Sequence, residues 1–141
     1  RKQILEGLGV IIGIGTDLVN INRVRKVLDR FGDRFEKRVF SELEIQRSRR
    51  KYDPSSSYAK RWAAKEACSK ALGIGLRMGI SWKEMHVVNL QSGKPNLIVE
   101  GKAKDLLKEM TPSGHSPKLN VSLTDDHPWA KAIVIIEGIA S

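Results

Sequence analysis

The residue types best suited to chemistry stand in two places: Asp17, directly after an apolar run, and the pair Glu66 and Lys70, set among alanines in the stretch 61–73. At about 100° per residue, Ala59, Ala63, Glu66 and Lys70 share one helical stripe, so a carboxylate and an ammonium stand where small side chains leave room for close approach. Such a pairing suits a metal ion and a phosphate. Mg2+ is commonly held by one or two carboxylates together with phosphate oxygens and water, so Asp17 with Glu66 would be a sufficient protein contribution. A phosphate beside them would be held by Lys70, Lys65 or the metal. The same spacing also fits an exposed Glu-to-Lys helical pair worth about 0.2–0.5 kcal/mol. Thr16 and Asp17 are both good capping residues for a following helix. Spacing alone leaves these alternatives open.

Other candidates carry less. Gly13-Ile14-Gly15 follows an apolar run, but Leu18 stands where a dinucleotide-binding turn needs its third small residue, and no strand-helix-strand unit follows. Gly73-Ile74-Gly75 comes after a helical pattern, whereas a phosphate-cradling loop precedes one, so by spacing it is a helix stop. His86, His115 and His127 lack metal-ligand spacing. Cys68 is expected to pack as a small apolar group, and Trp62, Trp82 and Trp129 read as core or interface aromatics. Asn120-Val121-Ser122 matches a glycosylation acceptor only formally, since it falls in an expected strand.

The elements that must position these groups follow from periodicity. Residues 10–15 are apolar and rich in β-branched types, which predicts a buried strand that stops at Thr16-Asp17. Ile21, Val24, Val27, Leu28 and Phe31 then recur at helical spacing, with Arg23, Lys26 and Arg30 offset as a basic stripe, until Gly32. A short helix is expected over 34–40. Ser41-Glu42-Leu43-Glu44 has the form of a capping box opening a third helix to about Arg50. Asp53-Pro54-Ser55-Ser56-Ser57 reads as a break, with Ser57 capping a long helix from near Tyr58 through Leu72. Beyond Gly79 the pattern gives a hairpin of 85–90 with 96–100, a helix over 102–110, and a second hairpin of 119–123 with 130–137 across 124–128. The expected fold class is α+β in a single domain, one antiparallel sheet packed around a long central helix. Residues 1–9 read as an N-terminal extension and 10–141 as the domain.

Length and composition agree with that picture. A chain of 141 residues is one ordinary domain, and 40% hydrophobic with 29% charged residues excludes both a disordered tail and a membrane-spanning bundle. With Cys68 as its single cysteine, one chain can hold neither an internal disulfide nor a cysteine metal cluster, so a reducing, cytoplasmic setting is expected. The net charge of +9 implies an acidic partner, and residues 22–51 concentrate it, with 11 basic and 5 acidic side chains.

Two segments in order carry a resemblance. Ile12-Gly13-Ile14-Gly15-Thr16-Asp17-Leu18-Val19 and Arg61-Trp62-Ala63-Ala64-Lys65-Glu66-Ala67-Cys68-Ser69-Lys70-Ala71-Leu72-Gly73-Ile74-Gly75 resemble the two signature segments of bacterial holo-acyl-carrier-protein synthases, and their separation matches as well. The likeness continues through Gly93-Lys94-Pro95 and Val121-Ser122-Leu123-Thr124-Asp125 to Glu137. It implies a Mg2+-dependent 4′-phosphopantetheinyl transferase of fatty acid biosynthesis. Such an enzyme moves the phosphopantetheine of coenzyme A onto a serine of apo-acyl carrier protein and releases adenosine 3′,5′-bisphosphate. By the same resemblance Asp17 and Glu66 are metal ligands and Lys70 contacts the pyrophosphate. Gly73 and Gly75 belong to the coenzyme A cleft, and Arg23 and Arg30 lie on the helix that docks the acidic carrier. A homotrimer with sites between subunits is implied too. Glu66 is expected to accept the serine proton, directly or through water. Asn120 stands before Val121-Ser122 where many relatives carry histidine, a departure at a position expected to face phosphate.

Two other classes fit parts of the sequence. A small basic nucleic-acid-binding domain would explain the charge without any chemistry, although only 6% of residues are aromatic and none interleaves the stripe from Arg23 to Arg30 to stack on bases. A Mg2+ nuclease would use an acid with a later Glu and Lys, but there the pair usually flanks a single residue on a strand, whereas Glu66 and Lys70 are four apart on an expected helix.

Overall fold

A computed structural model describes residues 8–73 and 79–141. Strand β1 (Gly9–Asn20) is followed by four helices, α1 (Ile21–Phe31), α2 (Asp33–Val39), α3 (Glu42–Arg49) and α4 (Pro54–Ala71). A one-turn 3-10 helix (Trp82–Glu84) leads to the hairpin β2 (Met85–Asn89) and β3 (Pro95–Val99), then α5 (Gly101–Met110) and the long hairpin β4 (His115–Asp126) and β5 (Trp129–Ala140). The class is α+β with antiparallel pairing throughout. In place of one sheet there are two among the described residues, a three-stranded sheet ordered β1-β5-β4 and the separate pair β2-β3.

Local chemistry sets the boundaries, and several differ from expectation, among them the last hairpin, whose strands run over His115–Asp126 and Trp129–Ala140. The first strand runs through Asp17 to Asn20, because backbone pairing with β5 continues from Asp17–Ala132 to Asn20–Trp129. It is Asn20, not Asp17, whose side chain caps α1, accepting from Asn22 N at 2.9 Å. The long helix begins at Pro54 rather than near Tyr58, since Asp53 caps it and a proline in the first turn gives up no needed hydrogen bond. The expected capping box at Ser41 and Glu44 is present.

Helix α4 is the hub. Ala59, Ala63, Ala64 and Ala67 are completely buried, and around them lie two apolar clusters, one with both sheets and α5, the other with α1, α2 and α3. Its small residues let backbone approach backbone. A Cβ at Gly13 would run into the carbonyl of Ala71, and one at Gly15 into the carbonyl of Ala67. Gly13 and Gly15 therefore serve helix-strand contact.

Two polar networks tie the helical half together. Arg49 grips Glu36 through Nη2 at 2.7 Å and Nε at 3.0 Å, and the Tyr58 hydroxyl donates to the same carboxylate. The Arg49 hydrogen bonds, helped by that hydroxyl, hold the Glu36 carboxyl below its usual range against the opposing effect of burial. Deeper in, the fully buried Lys65 and Glu44 pair at 2.8 Å, while Glu44 accepts the backbone N–H of Ser41 and Val87. Cys68 is buried as expected, and burial pushes its thiol up to about 12. No helix among the described residues is long and apolar enough to cross a membrane.

Candidate active site

The close contact of β1 with α4 builds the site. Gly13 lies against Ala71 and Gly15 against Ala67, so two strand residues, rising about 6.8 Å, match four helical residues, rising about 6 Å. The next inward strand position is Asp17, which that register carries toward the turn holding Glu66. The two acids line one depression of about 310 Å3, together with Leu18, Val19, Asn20, Arg23, Val24, Val27 and Trp62. On the other side of Asp17, Lys70 Nζ donates to Asp17 Oδ1 at 3.0 Å and to Thr16 O at 3.1 Å. A second depression, about 410 Å3, is lined there by Thr16, Asp17, Leu18, Lys70 and Lys131. Asp17 thus divides a side shared with a carboxylate from a side shared with cations.

Glu66 is oriented from its own helix. Trp62 Nε1 donates to Glu66 Oε1 at 3.2 Å, and the indole packs on Phe35 and Trp82 with ring centroids 5.1 and 6.0 Å away. The sequence reading of Trp62 as a core aromatic is incomplete; its i to i+4 spacing from Glu66 was the signal available. Among the described residues no three His, Cys, Asp or Glu side chains gather as a metal cage. Two carboxylates facing one opening fit a hard cation that completes its shell with phosphate oxygens and water, and this donor set suits Mg2+.

The remaining expected residues divide. Arg23 lines the depression with Asp17 and Glu66, and Arg30, in the last turn of α1, stands 5.1 Å over the Phe31 ring. Lys65 is a correction. Its ammonium is fully buried, pairs with Glu44, and donates to the carbonyls of Trp82 and Met85, so it points away from any ligand and locks α3 and the start of β2 onto α4. Burial pushes its pKa down against the pull of Glu44. Asn120 is not brought to Asp17 within the chain. It faces Ile135 across β4 and β5, and its amide donates to Ile135 O at 3.2 Å and to Glu137 Oε1 at 2.8 Å. Gly73 ends α4 with φ +82° and open space about its Cα, while Gly75 lies outside the described residues.

The sequence model of the 4′-phosphopantetheinyl transferase superfamily matches residues 13–131, which include the strand and helix that carry the site. The chain belongs to that superfamily. Among similar phosphopantetheinyl transferases, the holo-[acyl-carrier-protein] synthase of Ruegeria sp. (strain TM1040) is 62% identical over 128 residues, 91% of this chain and 90% of the relative. The crystal structure of holo-[acyl-carrier-protein] synthase from Neisseria meningitidis superposes with a TM-score of 0.77 at 32% identity, covering 90% of this chain and 98% of the other. A holo-(acyl-carrier-protein) synthase from Bacillus anthracis str. Ames, solved in complex with CoA (3′,5′-ADP), gives 0.71 at 31% identity, covering 93% and 98%. The alternative of a nucleic-acid-binding domain finds no support among these transferases.

Proposed function

We propose that this chain is a Mg2+-dependent holo-[acyl-carrier-protein] synthase. It takes coenzyme A and an acidic apo-acyl carrier protein as its substrates and serves fatty acid biosynthesis in the cytoplasm. The observation that carries the reading is the position of Asp17, between a carboxylate-lined depression shared with Glu66 and Arg23 and a cationic one shared with Lys70. The carrier's serine Oγ attacks the pantetheine-side phosphorus of the coenzyme A diphosphate, the bond from that phosphorus to the bridging oxygen breaks, and adenosine 3′,5′-bisphosphate leaves. Glu66 takes the serine proton. Trp62 donates to one of its oxygens and so fixes the orientation of the carboxylate. Lys70, which pairs with Asp17, offers its ammonium to the charge growing on the leaving group. Mg2+ held by Asp17 and Glu66 would neutralise phosphate oxygens during the transfer. Most of the rate enhancement then comes from positioning and electrostatics.

Arg23 and Arg30 stand seven apart on α1, the helix that docks the acidic carrier in this reading, and Arg23 lies at the opening. A homotrimer belongs to the same proposal. The outer face of the three-stranded sheet exposes Ile14 (66%), Leu18 (57%) and Ile133 (37%), an apolar surface suited to a second copy of this chain. Asn120 lies on that face too, so any contact it makes with a phosphate would be at a neighbouring subunit's site.

The deciding experiment is the intact mass of an apo-acyl carrier protein incubated with this chain, coenzyme A and Mg2+. A gain of one phosphopantetheine that EDTA abolishes is expected. No gain, with folded protein and several carriers, would overturn the reading.

A further inference from the structure

Lys131 lies next to the site, yet neither the signature segments nor the roles assigned above account for it. We propose that Lys131 is a second phosphate-binding cation, facing the phosphates of the nucleotide half of the substrate and of the departing bisphosphate; this rests on the transferase reading above.

The direction of the side chain follows from the strand. Ala130 and Ala132 on either side are completely buried, so alternation along β5 turns Lys131 to the outer face. Its cross-strand neighbours there are Leu18 on β1 and Thr124 on β4, both uncharged. Of the two acids at that end of β4, Asp125 alternates to the inner face, where Lys60 Nζ at 3.1 Å and the Ser56 hydroxyl at 3.1 Å engage it, while Asp126 shares the outer face with Lys131 without pairing to it. Asp17 is engaged by Lys70. Among the described residues no carboxylate of the same chain lies within ion-pair distance of Lys131. The depression of about 410 Å3 is therefore lined by two lysines and one aspartate, an excess of positive charge.

A site with that balance suits an anion of more than one charge. Coenzyme A supplies a diphosphate and a 3′-phosphomonoester, and the departing bisphosphate carries two phosphomonoesters. Lys70 must give up Asp17 and the Thr16 carbonyl before it can turn to phosphate, whereas Lys131 needs no such exchange. Lys131 would thus add positive charge toward the nucleotide phosphates without giving up a contact within the chain.

The test compares Lys131→Met, Lys131→Gln and Lys131→Arg with the unaltered chain, reading the affinity for adenosine 3′,5′-bisphosphate by calorimetry at two salt concentrations, and the KM values for coenzyme A and for carrier. Replacement by Met or Gln is expected to weaken bisphosphate binding about three- to ten-fold, to raise KM for coenzyme A alike, and to flatten the salt dependence, with KM for carrier unchanged. Arg should preserve binding. A loss that persists with dephospho-coenzyme A assigns the contact to the diphosphate; a loss that disappears assigns it to the 3′-phosphate. Unchanged bisphosphate affinity in folded Met and Gln variants of unaltered oligomeric state would overturn the proposal. Failure of the unaltered chain to bind the bisphosphate or to load a carrier would instead overturn the transferase reading on which it rests.

Discussion

Trp62 carries two jobs in one side chain, packing on Phe35 and Trp82 through its rings and holding Glu66 Oε1 through its N–H. Phenylalanine keeps the first and loses the second. Trp62→Phe is therefore expected to lower turnover about fivefold, the worth of roughly 1 kcal/mol for one hydrogen bond, with little change in melting temperature. Steady-state rates and thermal melts on the same samples check it; equal losses in both would mean that Trp62 acts through packing alone. Lys65 shows the opposite case. Its place in the signature, one residue before Glu66, suggests a phosphate contact, but a step of one residue turns a helical side chain by about 100°. That turn takes Lys65 into the interior and onto Glu44, while Glu66 remains at the opening.

The unit that makes the site is the crossing of β1 over α4. Gly13 and Gly15 against Ala71 and Ala67 let two backbones touch, and that contact carries Asp17 toward Glu66 and Lys70. Gly15→Ala would press a methyl into the Ala67 carbonyl and force the strand outward. Overpacking of this kind costs about 1–3 kcal/mol, and the same displacement separates the two acids. Urea unfolding should show that destabilisation, and assays well below the melting temperature should show a drop in kcat larger than any unfolded fraction explains. Helix α1 carries the docking surface of the proposed reaction. Arg30→Glu is expected to raise KM for carrier on the order of tenfold and leave KM for coenzyme A nearly unchanged, with the difference shrinking as salt rises. Equal effects on both substrates would exclude a docking role for that helix face.

Across the molecule, acid should loosen the helical half first. Glu36, held low chiefly by Arg49, and Asp53, held low chiefly by the Ser55 hydroxyl, both have native pKa values below those of the unfolded chain. Their contribution is complete above about pH 4.3 and is lost as pH falls through the depressed native values, because the unfolded chain then takes up protons more readily. Melting temperatures from pH 5 downward should fall, and less steeply for Glu36→Gln. Much of this was legible beforehand. The helical spacing from Ile21 to Phe31, the capping box at Ser41 and Glu44, both hairpins and the α+β class were written in local periodicity, which depends only on which side chains a helix or strand must bury. The Gly-Ile-Gly segment and Glu66 with Lys70 on one stripe were legible as well, and the structure brings both to Asp17. Strand β1 was seen only as far as Gly15, since beyond it the pattern turns polar and its pairing partners on β5 lie more than a hundred residues away. What only the tertiary structure decided was which charges meet. Asp17 with Lys70, Lys65 with Glu44, and Lys131 beside the site each join segments distant in sequence, and burial and backbone register, not spacing along the chain, assign those partners.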